Sequence, residues 1–421
     1  MRSLVVLAAA LVAAALVSPV AARTARIDGP RNSDLSEPHV AVDPTDPRRV
    51  LVVAKDTGFS LDAFRSADGG ATFTGGRLIA GSYLGAQALA TDPVVVINSG
   101  GTAFFGQLVM REPPGQDSES IVGLMRSDDG GATYGEPMPV ARAPFPELPG
   151  DSFGPYDKEW FAVDRSGGAR DGTLYAAWVR VRLRRGETNT ILISRSSDDG
   201  VTWSTPLRIS SPRRYALGPQ VVVDRDGDAH VVWASFRRSE TDRRGVVLHS
   251  VSRDGGASFS APRRVARFRN GFAAYKLVAL TASEGGRLLA CWSEGGNRSS
   301  RTTCSRSAGG ARWSRPVSVA PRVRGAHDLV AVTGQGRNRF WLTFYARTRR
   351  ATSVLLYRSD DGGRRFRRVR VLARRPYRLS AFVGDYTGLD VEGGRLFAAY
   401  VLPRAGPSSR NSIYVWSRPA R

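Results

Sequence analysis

Lysine, histidine and cysteine are all scarce in this chain of 421 residues. Only three lysines occur among 61 basic residues, so nearly all positive charge is arginine, a skew that GC-rich coding alone can produce. The arginines are spread along the whole sequence, and a net charge of +23 therefore does not by itself indicate a nucleic-acid-binding protein. The four histidines and two cysteines show no metal-ligand spacing, and we expect no Cys/His metal site.

Long apolar runs are also missing, except at the N-terminus. Arg2 precedes an apolar run over residues 4–17, and small residues follow up to Ala22. This order predicts a secretory signal peptide over residues 1–22, cleaved near Ala22, followed by a single domain over residues 23–421. The alternative is a membrane anchor, but the run is shorter than the roughly 20 residues that span a bilayer. We expect a secreted, extracellular protein with no transmembrane segment.

The two cysteines, Cys291 and Cys304, lie on either side of a Gly-Gly-Asn turn, in segments that are typical of strands. Directly opposed residues of a hairpin have Cα atoms about 4.5–5.5 Å apart, within disulfide range. In an exported protein we expect a cross-strand disulfide. The alternative is a pair of buried free thiols.

One short pattern, Ser-x-Asp-x-Gly-x-x-aromatic, organises the chain. It runs first from Ser66 to Phe73, four more complete copies end at Tyr134, Trp203, Phe259 and Phe366, and a degenerate copy ends at Trp313. Short Ser and Asp side chains bond to the backbone of a tight turn, and glycine supplies positive φ. Repetition indicates a folding role, and not catalysis or metal ligation, for the aspartates of these Asp boxes: Asp68, Asp129, Asp198, Asp254 and Asp361.

Each repeat contains four short segments typical of antiparallel strands, and no segment has a helical period. Such units are blades of a β-propeller. The inner strands are predicted to start near Glu37, Asp92, Lys158, Gly218, Tyr275, His327 and Asp385. The last unit has only three strands, and a strand within residues 24–32 is predicted to complete it. The sequence therefore predicts an all-β propeller of four-stranded antiparallel blades, with seven blades favoured over six.

The starts of the inner strands surround one mouth of the central channel, opposite the Asp boxes. This predicted mouth gathers carboxylates, aromatic rings and a few cations: Glu37, Asp92, Asp157, Lys158, Glu159, Trp160, Tyr275, Lys276, His327, Asp328, Asp385 and Tyr386. Carboxylates accept hydrogen bonds from hydroxyls and rings stack on sugar faces, so a glycan is the expected partner. The same oxygens suit Ca²⁺, although no cofactor is expected to be required. The alternative is that these residues cap strand ends and pair with arginines.

The Asp boxes, together with the phrases Glu37-Pro38-His39-Val40-Ala41-Val42-Asp43-Pro44 and Gly384-Asp385-Tyr386, resemble the Asp-box (BNR-repeat) proteins of the sialidase-like superfamily. The resemblance covers nearly the whole chain after residue 22 and implies a propeller, in a superfamily with both enzymes and non-catalytic binding modules. A sialidase of this type uses three arginines for the substrate carboxylate, an aspartate acid/base and a tyrosine nucleophile helped by a glutamate. The resemblance implies Tyr386 as nucleophile, Glu37 or Glu159 as its helper, and Asp92 or Asp157 as acid/base.

Three functions follow in order of preference. The first is a glycan-binding propeller without turnover, the second an exo-α-sialidase-type glycoside hydrolase, and the third a polyanion-binding scaffold. The family's usual Arg-Ile-Pro sequence has its nearest match in Arg26-Ile27-Asp28. Arginines near Tyr386 would favour the enzyme, whereas a mouth lined by carboxylates would repel an anionic sugar acid. We expect a monomer with no specific nucleic-acid partner.

Overall fold

The computed structural model describes residues 22–29, 34–56, 58–78, 87–112, 115, 117–145, 154–181, 188–269, 277–296, 298–379, 382–406 and 409–420. The predicted signal peptide lies almost wholly outside these residues, as do the mouth candidates Tyr275 and Lys276. The described residues form β-strands and no helix. Consequently, in this part of the chain no helix has the length and hydropathy to cross a membrane.

The strands are short and follow one another throughout the chain. The first fourteen are β1 Arg23–Ile27, β2 Leu35–Val42, β3 Val50–Asp56, β4 Leu61–Ser66, β5 Thr74–Leu78, β6 Gln87–Ile97, β7 Ala103–Glu112, β8 Ser118–Ser127, β9 Met138–Phe145, β10 Tyr156–Val163, β11 Leu174–Arg180, β12 Thr190–Ser196, β13 Leu207–Arg208 and β14 Tyr215–Val223. The others are β15 Ala229–Phe236, β16 Arg244–Ser252, β17 Arg263–Arg269, β18 Ala279–Ala282, β19 Arg287–Gly296, β20 Ser299–Ala308, β21 Val317–Ser318, β22 Ala326–Gln335, β23 Arg339–Arg347, β24 Thr352–Ser359, β25 Arg367–Arg375, β26 Gly388–Glu392, β27 Arg395–Pro403 and β28 Asn411–Pro419.

These strands form seven antiparallel four-stranded sheets, the blades of a propeller. Blades one to six are β2–β5, β6–β9, β10–β13, β14–β17, β18–β21 and β22–β25. Blade seven contains β26–β28 and is completed by β1, which pairs with β28 from Arg23 opposite Ser417 to Ile27 opposite Ile413. The first strand of each blade contacts the first strand of the next, and β26 contacts β2, which closes the ring. The predictions of an all-β propeller, of seven blades and of an N-terminal closing strand are confirmed.

The hydrophobic core lies between neighbouring blades. One apolar cluster joins Leu51 and Val53 of blade one to Phe105 and Ile121 of blade two, and similar clusters lie between the following blades. The second strand of blade four, β15, is buried along its whole length because a sheet covers each of its faces. Large rings fill the spaces between sheets, among them Trp178, Trp233, Trp292, Trp341 and Trp416.

The Asp boxes form the turns between the third and fourth strands. In the first box the Ser66 hydroxyl donates to Asp68 Oδ1 at 2.7 Å and accepts the Gly70 N–H at 2.8 Å. The other carboxylate oxygen of Asp68 accepts the Thr72 hydroxyl at 2.7 Å. Gly70 has a φ of 80°, and a Cβ there would lie 2.9 Å from Phe397 of blade seven, so the turn packs tightly on the preceding blade. Matching serine–aspartate bonds occur at Asp129, Asp198, Asp254 and Asp361.

The two cysteines form a disulfide across blade five, as predicted. Cys291 of β19 lies directly opposite Cys304 of β20, with Cα atoms 4.1 Å apart. Both side chains are fully buried in the cluster between blades five and six. The bond therefore joins the second and third strands of one blade within the hydrophobic core.

Candidate functional site

The inner strands begin with a β-bulge at one mouth of the central channel. The pairing of first and second strands shifts register there in blades one, two, three, four and six. The residue that opens each bulge has a φ between 51° and 57°, and these residues are Glu37, Asp92, Lys158, Gly218 and Leu329. Only glycine adopts this left-handed conformation without cost, and a side chain adds about 1–3 kcal/mol of strain. Three charged side chains therefore lie where glycine would be less strained.

In blade six the bulge starts two residues later than the comparison of the repeats predicted. Leu329 occupies the place that was expected for His327. His327 lies between blades five and six, where its Nδ1 accepts the Thr302 N–H at 3.1 Å. Asp328 forms an ion pair with Arg347 at 3.1 Å. A shift of two residues keeps the same strand face, so alternation of side chains could not reveal the error.

Lys158 is the centre of an ion cluster that joins three blades. Its Nζ lies 3.2 Å from Asp92 Oδ2 of blade two and 3.7 Å from Asp157 Oδ1 of blade three, and it also contacts Asp385, which precedes β26. Although burial disfavours its charge, the surrounding carboxylates raise the pKa of Lys158 well above its usual 10.5. The ammonium group thus occupies the position among these oxygens that a Ca²⁺ ion would require.

Two buried glutamates beside the cluster have raised pKa values. Glu37 and Glu159 are only 1% and 2% exposed, and among the described residues three of their four carboxyl oxygens have no hydrogen-bond partner. Burial, reinforced by the charge of Asp92, raises the pKa of Glu37 to about 8 and that of Glu159 well above its usual 4.5. Burial raises the pKa of Asp157 to about 6, against the attraction of Lys158. The mouth therefore combines the protonated carboxyl of Glu37 with Asp157, which is mainly ionised at pH 7.

Three aromatic rings form the floor of this charged mouth. The Trp160 ring lies edge-on to Tyr386, with centroids 5.6 Å apart, and edge-on to His39 at 5.1 Å. Tyr386 donates its hydroxyl hydrogen to the Pro93 carbonyl of blade two at 3.1 Å, and burial raises its pKa well above 10. Burial lowers the pKa of His39 to about 4, so its ring is neutral at pH 7. These rings pack as an apolar layer between charged groups and channel.

Below the rings the central channel holds a cavity of about 650 Å³. The inner strands line its length, and Arg165, Glu284 and Glu392 line its far end. Of the mouth residues, the aromatic rings border the cavity, whereas the charged cluster around Lys158 does not. The aromatic layer therefore separates the charged cluster from the channel cavity.

The structure does not bring arginines to Tyr386 within the part of the chain that it describes. The charged groups that act most strongly on its hydroxyl are the carboxylates of Asp92, Glu37, Glu159 and Asp385. The Arg26-Ile27-Asp28 segment, the nearest match to the sialidase arginine motif, lies on the outermost strand of blade seven, and Arg26 pairs with Asp28 at 2.9 Å. The described groups that act on Tyr386 are therefore carboxyls and not arginines.

Sequence reasoning did not identify His39 and Lys55 as mouth residues. His39 lies two residues after Glu37, just as Trp160 lies two residues after Lys158. Comparison of the repeats could therefore have identified His39 as a mouth residue. Lys55 comes from the second strand of blade one, and its Nζ lies 4.5 Å from the centre of the Phe59 ring. Its positive charge partly opposes the rise in the pKa of Glu37. No periodicity indicates that contact, because it depends on how β3 ends beside the mouth.

Asp224, Asp228 and His230 form a group of possible metal ligands outside the mouth, with ligand atoms within 4.8 Å of one another. Asp224 Oδ1 accepts the N–H groups of Asp226 and Asp228, and its Oδ2 lies 3.1 Å from His230 Nε2. His230 Nδ1 in turn lies 3.0 Å from His249 Nε2. The same turn is capped in blades one to three by Asp43, Asn98 and Asp164. Turn capping and contact between blades account for this group.

Comparisons with known proteins agree with this architecture. Residues 90–391 match the family model described as a BNR repeat-like domain. No curated protein gives a significant match. An ulvan lyase, a polysaccharide lyase bound to a GlcA–Rha3S glycan, is 10% identical with a TM-score of 0.60 over 95% of this chain and 96% of that one.

Two fungal enzymes show the same fold. A Penicillium chrysogenum α-L-arabinanase complexed with arabinobiose has a TM-score of 0.52 and 13% identity, and covers 94% of this chain and 98% of its own. A mutant α-L-arabinofuranosidase of Fusarium graminearum, in complex with an iminosugar inhibitor, has a TM-score of 0.53 and 13% identity, over 92% of this chain and 95% of that chain. At these identities the likeness concerns the fold alone.

Proposed function

The chain belongs to the BNR repeat-like domain family, and we propose that it binds neutral glycans at the charged mouth. The observation that carries the proposal is the identical left-handed placement of Glu37, Asp92 and Lys158 on three blades. Gly218 and Leu329 open the same bulge in blades four and six, so folding does not require a charge there. Strain and buried charge at one place are typical of ligand sites.

The chemistry of the mouth matches sugar hydroxyls. The protonated carboxyl of Glu37 can both donate and accept hydrogen bonds, and the ionised Asp157 accepts them. Sugar hydroxyls need both kinds of partner. Because the ammonium group of Lys158 is already matched by aspartates, it is not available to an anionic group on the ligand, which would also meet the charge of Asp157. A neutral glycan fits better than a sialic acid.

Export belongs to the same proposal. The predicted signal peptide over residues 1–22 would deliver a single domain, residues 23–421, to an extracellular space as a monomer. The Cys291–Cys304 disulfide supports this placement, because disulfides persist in oxidising compartments. Mass measurement of the secreted protein would test the cleavage site, and a retained N-terminus would contradict it.

Binding is tested first with arabinobiose, since arabinose-containing ligands bind other proteins of this fold. Titration calorimetry on the wild type is compared with Glu37→Gln and Asp157→Asn, and a panel of other neutral disaccharides follows. Glu392→Gln, at the far end of the channel, is the matched control. We expect each mouth substitution to weaken binding about tenfold, because a hydrogen bond to a charged or buried carboxyl is lost. The control should leave the affinity unchanged. A folded wild type that binds no neutral sugar would overturn the proposal.

Glycoside hydrolysis is the second candidate, and one observation favours it. Glu159 is a buried carboxyl with a raised pKa and without a hydrogen-bond partner among the described residues, near Asp157, which is mainly ionised at pH 7. Most glycosidases use a carboxylic acid as proton donor together with a nearby carboxylate. In this version of the mechanism Tyr386 has no catalytic role, because its hydroxyl already donates to Pro93.

Fluorogenic substrates separate the mechanisms. Release of 4-methylumbelliferone from an α-L-arabinofuranoside and from an α-linked sialic acid is measured between about pH 4 and 8, across the range in which these carboxyls titrate, with and without Ca²⁺. Turnover lost in Glu159→Gln but retained in Tyr386→Phe would support the carboxyl pair. Sialoside turnover lost in Tyr386→Phe would instead establish the tyrosine nucleophile. No turnover by the folded wild type leaves binding as the function.

A further inference from the structure

The positive charge of the protein is concentrated on the circumference of three successive blades. The outer segments of blades four, five and six, residues 260–269, 309–326 and 362–379, contain sixteen arginines and no acidic residue. The whole chain has a net charge of +23. We call these three segments the basic rim. The even spread of arginine along the sequence therefore becomes a one-sided distribution once the chain folds.

The rim arginines are directed to solvent and are mostly uncompensated. All except the half-buried Arg375 are exposed. Arg367 lies 3.5 Å from Asp360. For Arg364, Arg365, Arg368, Arg370 and Arg374, the described residues place no carboxylate within ion-pair distance. Positive charges at this density repel one another, and an anionic partner would relieve that repulsion.

Protection of sheet edges does not explain the rim. Charged side chains on edge strands hinder aggregation, and every blade of this propeller has an outer strand with one free edge. The outer strands of blades one and two, β5 and β9, each have a single arginine, whereas β17 of blade four has four, β21 of blade five has none and β25 of blade six has five. The four arginines of the blade-five segment lie beside its edge strand and not on it, so protection of that edge does not account for them.

The length of the arginine array suits a linear polymer with several negative groups. Arginine recurs along β25, at Arg367, Arg368, Arg370, Arg374 and Arg375, although two β-bulges interrupt the pairing of this strand with β24. Extended chain from Arg367 to Arg375 reaches about 26 Å. A guanidinium group binds sulfate or carboxylate through two parallel hydrogen bonds. A single small anion would use only a small part of this array.

Other polyanionic partners fit less well. Single-stranded nucleic acid is held by stacking on exposed rings, and the aromatic residues of the blade-six segment, Phe366 and Tyr377, are half-buried. Insertion into an anionic membrane needs an exposed apolar face, and Val371, 41% exposed, is the large exposed hydrophobic residue described on this rim.

We propose that the basic rim is a binding site for an anionic polysaccharide, one with sulfate or uronic acid groups. The site lies on the circumference of the propeller and is independent of the mouth. The protein then has two glycan-directed surfaces of opposite character: an acidic mouth for neutral sugars and an arginine rim for charged chains. Loss of mouth binding would leave rim binding intact.

The test uses dextran sulfate as the probe and neutral dextran as the reference ligand. The rim variant combines Arg364→Gln, Arg365→Gln, Arg368→Gln and Arg370→Gln. A control variant makes the same change in charge outside the rim, at the exposed residues Arg208, Arg213, Arg237 and Arg238. We expect Kd for dextran sulfate to rise at least about tenfold in the rim variant and to change less than about twofold in the control, with a shallower salt dependence in the rim variant.

Three outcomes would overturn the proposal. Equal losses in the two variants would show that net charge alone drives binding. Tighter binding of duplex DNA than of dextran sulfate, at equal charge concentration and salt, would assign the rim to nucleic acid. Tighter binding of phosphatidylserine vesicles would assign it to a membrane surface. Thermal unfolding of both variants checks that these exposed substitutions preserve the fold.

Discussion

Trp160 of blade three and Tyr386 of blade seven meet edge to face across the channel, with ring centroids 5.6 Å apart. The Tyr386 hydroxyl donates a hydrogen bond to the Pro93 carbonyl of blade two. One tyrosine thus joins three blades, closes the mouth end of the channel and forms the floor beneath the ion cluster. Its hydroxyl is engaged in structure, which conflicts with the nucleophile that the sialidase resemblance implies.

Tyr386→Phe should lower the free energy of unfolding by about 1–3 kcal/mol, because a buried backbone carbonyl loses its donor. Affinity for neutral glycans should stay the same, since the hydroxyl already donates to the Pro93 carbonyl and is not offered to a ligand. Urea denaturation and titration calorimetry on the same samples measure both quantities. Unchanged stability together with lost turnover would return Tyr386 to the catalytic machinery.

Lys158→Met should destabilise the protein by about 3–5 kcal/mol at pH 7, because buried aspartates lose their counter-charge. The loss should be smaller at pH 5, where Asp157, with its pKa of about 6, is protonated. Denaturant unfolding at the two pH values tests this, with Lys158→Arg as the variant that keeps the charge. An equal loss of stability at both pH values would mean that the substitution acts through packing and not through charge.

Glu37→Gly should make the protein more stable while it weakens glycan binding. Glycine removes about 1–3 kcal/mol of left-handed strain and a buried carboxyl with an unpartnered oxygen. Gly218 already fills the same position in blade four. Thermal unfolding and calorimetry with a neutral disaccharide measure the opposed effects. Lower stability would show that the glutamate side chain is needed for packing at the bulge.

The contribution of Glu37 to the stability of the fold should fall as the pH rises from about 5 to 8. Glu37 has its pKa raised to about 8 by burial, so the folded state retains a proton that the unfolded chain loses near pH 4.5. Its contribution is complete below that lower value and disappears as the pH approaches 8, with a slope of at most about 1.4 kcal/mol per pH unit. Glu37→Gln should flatten the profile in urea titrations at four pH values. Identical slopes would contradict the raised pKa.

Removing the disulfide should cost about 2–4 kcal/mol, because the bond closes a loop with a sequence separation of 13 residues. The paired variant Cys291→Ala, Cys304→Ala is compared with the wild type in urea. Both cysteines are fully buried, so a mild reductant should open the bond only in unfolded protein. Rapid reduction of the folded protein would show that blade five opens locally.

The Asp boxes could be predicted because their bonds are local. Ser66, Asp68, Gly70 and Thr72 interact within one turn, and the pattern returns in each complete copy. The start of blade six could not be placed in the same way. His327 and Leu329 are two residues apart on a strand, so both satisfy the same alternation, and the choice depends on where the bulge forms against β23.

The sequence by itself determined the propeller fold and favoured seven blades, the closing strand and the disulfide, since these follow from repeats and pairings between neighbouring segments. Tertiary structure alone decided what the polar residues face. Ring closure brings Asp385 to Lys158 from the other end of the chain, and burial then sets their protonation. It also places the arginines of three successive blades on one rim. Such contacts depend on the curvature of the ring, which no local pattern of residues contains.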